Sequence, residues 1–365
     1  MISRTQLAAA VISVVVSSAA HAQEEGPETL ERVGQEFVGV LKQNGWKDAR
    51  YASIRGDGAL FEIQGVKGSR RSADGSAETL EVGRLTIEAI DPGDRWVRAE
   101  SVRIDGLRAL VGGEKVEIGT IYAKKPGLLD VDLGRPAAAF DNAVLTDVSW
   151  SRGGRLLVAL SQVYLSGDRW IGEFGIPGRL DVAAKGTVSA GVLPFLPQPL
   201  AGASLTGDFS FKTSVASMRD ELTLASAFSD GAGSWAASAV FTEFDTGLFR
   251  AWFDKENFNE DRSAETSRTY AEAFERELAD IGLKSFDFAA NGDGSARGPA
   301  LDAMAQALPA LLPPAFLDAA AAFSAFVKDP KSFTVSGYAR DGVPVATILD
   351  DGGSAFSGFS IKTGR

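Results

Sequence analysis

Apolar and polar positions follow two different periods along the chain. After Pro27, with Glu28 and Glu31 in a first turn, Leu30, Val33, Phe37, Val40 and Leu41 recur at spacings of three and four. That pattern predicts an amphipathic helix, which Gly45 would stop. From Tyr51 to about Phe244 the period becomes two, punctuated by Gly, Asp-Gly and Pro-Gly turns, which predicts successive strands. They are expected over 60–66, 80–87, 96–104, 116–123, 144–150, 156–165, 170–176, 178–190, 203–214, 221–229 and 234–244. Between the first two, 69–78 is charged and free of large apolar side chains and is expected to be an exposed hairpin tip.

Helical spacing returns twice. In 247–282, Leu248, Phe249, Trp252 and Phe253 precede a charged stretch, followed by Tyr270, Phe274, Leu278 and Ile281, which fits an amphipathic helix packed on a sheet. The segment 299–327 is nearly all Ala, Leu and Phe, broken by Pro309 and Pro313-Pro314, so two short helices are expected, the second over 315–327. Strands are expected between and after them, at 284–290, 332–338, 343–349 and 356–362. The fold class is therefore mainly β with helical additions (α+β). A large curved antiparallel sheet or partly closed barrel would be covered by the N-terminal helix and the late helices, in a single domain over 23–365.

Composition changes the picture at the N-terminus. Arg4 is the only charged side chain before an apolar run from Leu7 to Val16, and Ala20-His21-Ala22 precedes Gln23. Small residues three and one before a cut mark a secretory signal peptide, so 1–22 is expected to be removed between Ala22 and Gln23. Residues 23–365 would remain, and the formal charge would move from −11 to −12, because the leader carries one base and no acid. No later stretch is apolar over the roughly 20 residues of a bilayer span, so no transmembrane segment is expected after cleavage. The expected setting is a bacterial periplasm, and the acidic balance speaks against nucleic acid as a partner.

His21 is the only histidine and there is no cysteine. Thiol nucleophiles, disulfides, thiolate metal sites and a lipoprotein anchor are excluded by inventory. A Ser-His-Asp relay is unavailable to the expected mature chain. No Gly-Lys dipeptide exists for a phosphate loop, and Gly292-Asp293-Gly294-Ser295 near Gly298 has the wrong spacing for a dinucleotide fingerprint. Lys362-Thr363-Gly364 lacks the Ser-x-x-Lys that penicillin-binding chemistry requires, and Arg55-Gly56-Asp57 is explained as a turn.

Carboxylates are the plentiful acid and base candidates. Asp130 and Asp132 sit at alternate positions, and Asp350-Asp351 adjoins Gly352-Gly353. A glycosidase would need two such groups about 5–9.5 Å apart in a cleft. The patch from Asp254 to Asp261 has Asn259 where an EF-hand needs glycine. No catalytic, cofactor-binding or metal-binding residue is assigned, and no cofactor is implied.

Two internal similarities remain. LEVGRLTI at 80–87 matches VEIGTIYA at 116–123, and WVRAESVRIDG at 96–106 matches LLVALSQVYLSG at 156–167 with one extra residue. Together with the leader, the late helices and the ending FVKDPKSFTVSGYARDGVPVATIL, these glycine-punctuated strands resemble uncharacterised envelope proteins of Gram-negative bacteria, in particular the AsmA-like and YdgA-like groups. The resemblance implies long antiparallel sheets in the periplasm, associated with lipid or envelope homeostasis. The expected function is a non-enzymatic periplasmic protein that binds a hydrophobic, lipid-like ligand, with 301–327 as a lid, or that supports the envelope. The alternatives are a protein-interaction module using a sheet edge to pair with an envelope protein, and a carboxylate-dependent enzyme acting on glycan.

Overall fold

The computed structural model describes residues 27–43, 45–56, 60–71, 75–92, 96–129, 137–171, 176–189, 204–216, 221–230, 233–243, 272, 279–292, 316–329, 331–351 and 355–364. The expected leader, Asp130 and Asp132, the acidic patch 254–261, nearly all of 247–282 and residues 299–315 lie outside them. A helix α1 (Pro27–Gln43) is followed by β1 (Ser53–Gly56), β2 (Leu60–Arg71), β3 (Ala77–Pro92), β4 (Trp96–Val111), β5 (Glu114–Lys124), β6 (Gly127–Leu129), β7 (Ala137–Ala139), β8 (Asn142–Arg152) and β9 (Arg155–Ile171). Then come β10 (Ile176–Ser189), β11 (Ser204–Ala216), β12 (Glu221–Asp230), β13 (Gly233–Thr242), β14 (Gly282–Gly292), α2 (Leu317–Lys328), β15 (Ser332–Pro344), α3 (Val345–Asp351) and β16 (Ser360–Gly364).

The protein is mostly β, and its strands form one large antiparallel sheet. The hydrogen-bonded order is β1-β2-β3-β4-β5-β8-β9-β10-β11-β12-β13-β14-β15-β16, with β6 and β7 beside β4. This order has two ends, so the sheet is open rather than a closed barrel. By contacts the chain forms two compact units, one reaching Pro177 and including 182–188, the other holding 178–181 and 189–365.

In the first unit, α1 lays Phe37, Val38 and Leu41 on the sheet, and Trp46 follows them into the core. The facing positions are Phe61, Ile63 and Val66 of β2, Leu80, Val82, Leu85 and Ile87 of β3, and Val102, Ile104 and Leu107 of β4. Their spacing departs from a regular strand. Ile63 and Val66, Val82 and Leu85, and Ile104 and Leu107 are three apart, where regular alternation would place inward residues two apart.

The ladder accounts for this spacing, because it skips one residue on each strand. Gln64 pairs with Arg84 and Val66 with Val82, so Gly65 and Gly83 face each other between ladder pairs. The same break sets Gly83 against Gly106 and Gly106 against Gly119. It continues at Asp147 in β8 and Ser161 in β9, between Thr146↔Gln162 and Val148↔Leu160. Gly106 has φ +69° and Asp147 has φ +52°, a left-handed conformation that glycine adopts at no steric cost and aspartate tolerates. Each break skips one residue on both strands and leaves the register unchanged, so these are paired interruptions of the ladder. Aligned across β2, β3, β4, β5, β8 and β9, they form a transverse crease.

The crease accounts for one of the two internal similarities. Gly83 and Gly119 are equivalent crease positions, two strands apart in the sheet order. The pair 96–106 and 156–167 has no such basis, because Gly106 lies in the crease while β9 enters it at Ser161.

In the second unit, aromatic side chains of β13, β14 and β15 meet α2. Trp235, Phe288, Phe323, Phe326 and Phe333 form one cluster. A second joins Phe286, Phe316, Phe356 and Phe359. The ring of Phe286 lies over Gly337 so closely that a Cβ there would collide with it.

Four local expectations are corrected. Segment 343–349 does not form a strand, since β15 ends at Pro344 and α3 begins at Val345. Proline removes a ladder donor and presets φ for a first helical turn, which outweighs the strand propensity of Val345, Thr347 and Ile348. Segment 356–362 begins as a 3-10 turn, Ala355–Gly358, which brings Phe356 onto Phe286, and β16 starts only at Ser360. The described residues of 170–176 are divided between two strands, since β9 runs to Ile171 and β10 begins at Ile176. The hairpin at 69–78 is not exposed throughout. Glu78 is buried, paired with Arg70 at 2.5 Å and accepting the Gly112 backbone N–H at 3.0 Å, and Arg70 stacks on Trp46.

Candidate functional site

Strand alternation gives the first unit two chemically distinct faces. On the inward face, burial is complete from β2 to β4 and reaches Ile121 and Ala123 of β5, with Ile118 and Leu145 at the rim of the cluster. The apolar pattern continues past that rim. Val148 and Trp150 of β8 face the same way as Ile118 and Val116, and Val158, Leu160, Val163 and Leu165 of β9 follow in register. All six are only half-buried. These strands thus present an apolar surface beyond the core cluster that contains α1. At one end it is bounded by Glu114, which accepts hydrogen bonds from Trp150 Nε1 at 3.1 Å and from Arg152 at 2.5 and 2.8 Å.

The outward face of β2 to β5 is charged and internally matched. Lys67 pairs with Glu81, and Arg108 and Lys115 share Glu117. At the crease, Asp105 receives hydrogen bonds from Arg84 (2.7 and 3.0 Å), Arg103 (2.9 Å) and Thr120 (3.0 Å). Partial burial would raise the Asp105 carboxyl, but the donors Arg84, Arg103 and Thr120 and the Arg103 charge outweigh it and hold the group below its ordinary value. Arg84 is raised in turn, first by its hydrogen bond to Asp105 and then by that charge. Glu62 lies 4.0 Å from the same guanidinium. The two carboxylates are therefore bridged by a cation, and the lowered Asp105 group stays ionised, which does not suit it for proton transfer at neutral pH.

In the second unit, the side of the sheet opposite the aromatic clusters carries a shallow trough of about 550 Å³. One register row across it reads Lys212, Ala225, Ser238, Asp287 and Ser336. Lys212 and Asp287 are three strands apart, about 14 Å at the backbone, too far for an ion pair. The trough offers hydroxyls and small side chains but no matched acid and base.

Other sequence candidates are dispersed. Asp350 is exposed in α3, Lys362-Thr363-Gly364 lies within β16 paired to β15, and Arg55-Gly56 belongs to β1 rather than to a turn. Among the described residues, no group of three or more acidic, histidine or cysteine side chains is arranged to hold a metal ion. No described helix is long and apolar enough to cross a membrane. Of the segment 301–327, the described part is α2, whose Phe323, Phe326 and Val327 are buried in the aromatic core. Sequence reasoning missed the Arg84–Asp105–Arg103 network and the Glu78 pair. The available signal was a glycine next to a polar residue in strand after strand, at Gln64-Gly65, Gly83-Arg84, Asp105-Gly106 and Gly119-Thr120. No family model and no curated protein matches the chain.

Proposed function

We propose that the chain is a non-enzymatic, exported protein of the bacterial envelope that holds a hydrophobic, lipid-like ligand on the inward face of β8 and β9. One observation carries this. The apolar face of the first unit runs on past its core cluster, so that Val148, Trp150, Val158, Leu160, Val163 and Leu165 stay half-buried beyond the part that α1 covers. A contiguous apolar surface of this kind is the physical signature of a binding site for an apolar partner. An acyl chain suits it, because a ridged strand surface without convergent polar groups selects by hydrophobicity rather than by hydrogen bonding. The leader-like N-terminus and the resemblance to AsmA-like and YdgA-like envelope proteins support the setting.

The sheet edges support a protein-pairing role less well. The end strands β1 and β16 have four and five residues and carry Arg55 and Lys362, features that discourage edge pairing.

The test is mass spectrometry of solvent extracts from the purified full-length product, together with uptake of a fluorescent fatty acid. Co-purifying lipid and saturable uptake are expected, with uptake lost in Leu160→Asp and kept in the opposite-face control Ser149→Asp. Absence of both lipid and uptake would refute the proposal.

A further inference from the structure

The outward face of β5, β8 and β9 carries a feature that ligand binding on the inward face does not use. Tyr122 pairs with Val144, and Val144 pairs with Tyr164. The two tyrosines therefore stand on one face with β8 between them, about 10 Å apart at the backbone. They are 37% and 42% exposed, where the core aromatics Phe37 and Trp46 are 1% and 2%. Alongside runs a second register row, Thr120, Thr146 and Gln162. Thr120 is oriented, since its hydroxyl donates to Asp105 at 3.0 Å, which leaves its oxygen able to accept.

Charge thins toward β8 and β9, while at the β5 end Arg103 stands opposite Tyr122, Asp105 stands opposite Thr120, and Lys124 follows Tyr122 on the same face. The outward positions of β2 to β5 are laced with ion pairs such as Lys67–Glu81 and Arg84–Asp105. Among the residues whose side chains are described, the outward positions of β8 and β9 are uncharged apart from the crease residue Asp147, and they include Val144, Thr146, Ser149, Gln162 and Tyr164. The pair beside the tyrosines is matched, Arg103 with Asp105 at 2.9 Å, so it does not call for a charged ligand.

We infer that this area binds an uncharged, extended β-linked glycan, with Tyr122 and Tyr164 as stacking platforms. A pyranose ring has an apolar C–H face that packs on an aromatic ring and a rim of hydroxyls that must replace their bonds to water. The tyrosines supply the first and the Thr120–Thr146–Gln162 row the second. A backbone separation of about 10 Å matches the length of a disaccharide in an extended β-linked chain, so the two rings would engage sugars two units apart. This site lies on the opposite side of the strands from the proposed lipid surface and stands independently of it.

Isothermal titration calorimetry of the full chain with cellohexaose and with chitohexaose tests the inference. At least one hexasaccharide should bind. Tyr122→Ala and Tyr164→Ala should each weaken binding about tenfold or more, equivalent to about 1.4 kcal/mol. Tyr164→Phe, which keeps the ring, should bind nearly as the parent does. Tyr164→Leu keeps bulk without a flat ring and should lose binding, which guards against a folding defect in the alanine variant. Tyr338→Ala, at a 52% exposed tyrosine of the second unit, should have no effect. Failure of both hexasaccharides to bind, or binding indifferent to both tyrosines, overturns the inference.

Discussion

Three glycine-to-alanine substitutions in the first unit should separate backbone conformation from space, because the three positions differ in one factor at a time. Gly39 lies inside α1 with nothing within 4 Å of where an alanine methyl would stand and no positive φ. Gly39→Ala should therefore stabilise by about 0.5–1 kcal/mol, the helical preference of alanine over glycine. Gly106 has similarly open surroundings, its nearest atom being 3.8 Å away, but φ is +69°. Gly106→Ala should cost about 1–2 kcal/mol from the left-handed backbone alone. Gly186 combines φ +151° with the Ala159 carbonyl oxygen and the Leu160 Cα, which would both collide with the added methyl. Those are backbone atoms of a neighbouring strand that cannot rotate away, so Gly186→Ala should add about 1–3 kcal/mol of overpacking to a similar conformational cost. Urea unfolding followed by intrinsic tryptophan fluorescence gives the order directly, with midpoints falling from G39A through the parent and G106A to G186A. A neutral Gly106→Ala would show that the crease does not require a left-handed residue, and a G106A loss equal to that of G186A would show that strand proximity is not what matters at Gly186.

Two electrostatic predictions accompany this series. Glu78→Ala should destabilise the first unit by about 3–5 kcal/mol in the same unfolding assay, because it strands the largely buried Arg70 guanidinium without its carboxylate and frees the Gly112 N–H. An effect below about 1 kcal/mol would place that pair among ordinary surface ion pairs. Asp105 is held below its ordinary value in the folded chain, so its contribution is complete above the unfolded-state value of about 3.9 and is lost as pH falls from there through the folded value. Asp105→Asn should accordingly flatten the acid limb of the stability-versus-pH curve below about pH 4 and leave its alkaline limb unchanged; an unaltered acid limb would refute the assignment.

Legibility in the sequence tracked the range of the interactions. Strands such as β2, β5 and β12 were readable because the alternation of apolar and polar residues is a local pattern that needs no knowledge of the partner strand. The helix α2 was readable because Phe323, Phe326 and Val327 recur at helical spacing. The crease was not read, although its glycines were visible, because what makes Gly83 and Gly106 equivalent is their opposition across a ladder, and pairing register is non-local. The same holds for Glu78, a charged residue beside a turn. Its burial depends on Arg70 from the next strand, on Gly112 from another hairpin and on Trp46 beyond α1. Phe356 to Lys362 misled for a related reason: its apolar residues suit a strand, but the aromatic contacts with Phe286 and Phe316 hold Ala355–Gly358 as a turn. The candidate surfaces were anticipated only as a general apolar face, since alternation predicts which side a residue takes but not where its cover ends.

The end of that cover makes a quantitative difference between two valines on the same inward face. Val102 is 1% exposed within the core cluster, whereas Val163 is half-buried beyond its rim. An aspartate at 102 would be taken fully out of water without a partner, a cost of several kcal/mol that a marginally stable unit does not survive. At 163 the side chain already reaches solvent, so Val163→Asp should leave the urea midpoint within the range of ordinary half-exposed substitutions, about 1 kcal/mol. A ligand that buries about 200 Å² of apolar surface there would gain about 5 kcal/mol from it, and a carboxylate in the middle forfeits much of that gain. Val163→Asp should therefore fold and fail to take up the fluorescent fatty acid, while Val102→Asp should fail to fold. If Val163→Asp unfolds the unit as Val102→Asp does, the surface of β8 and β9 is interior core and not a binding face. If it folds and takes up the fatty acid as the parent does, the ligand sits elsewhere.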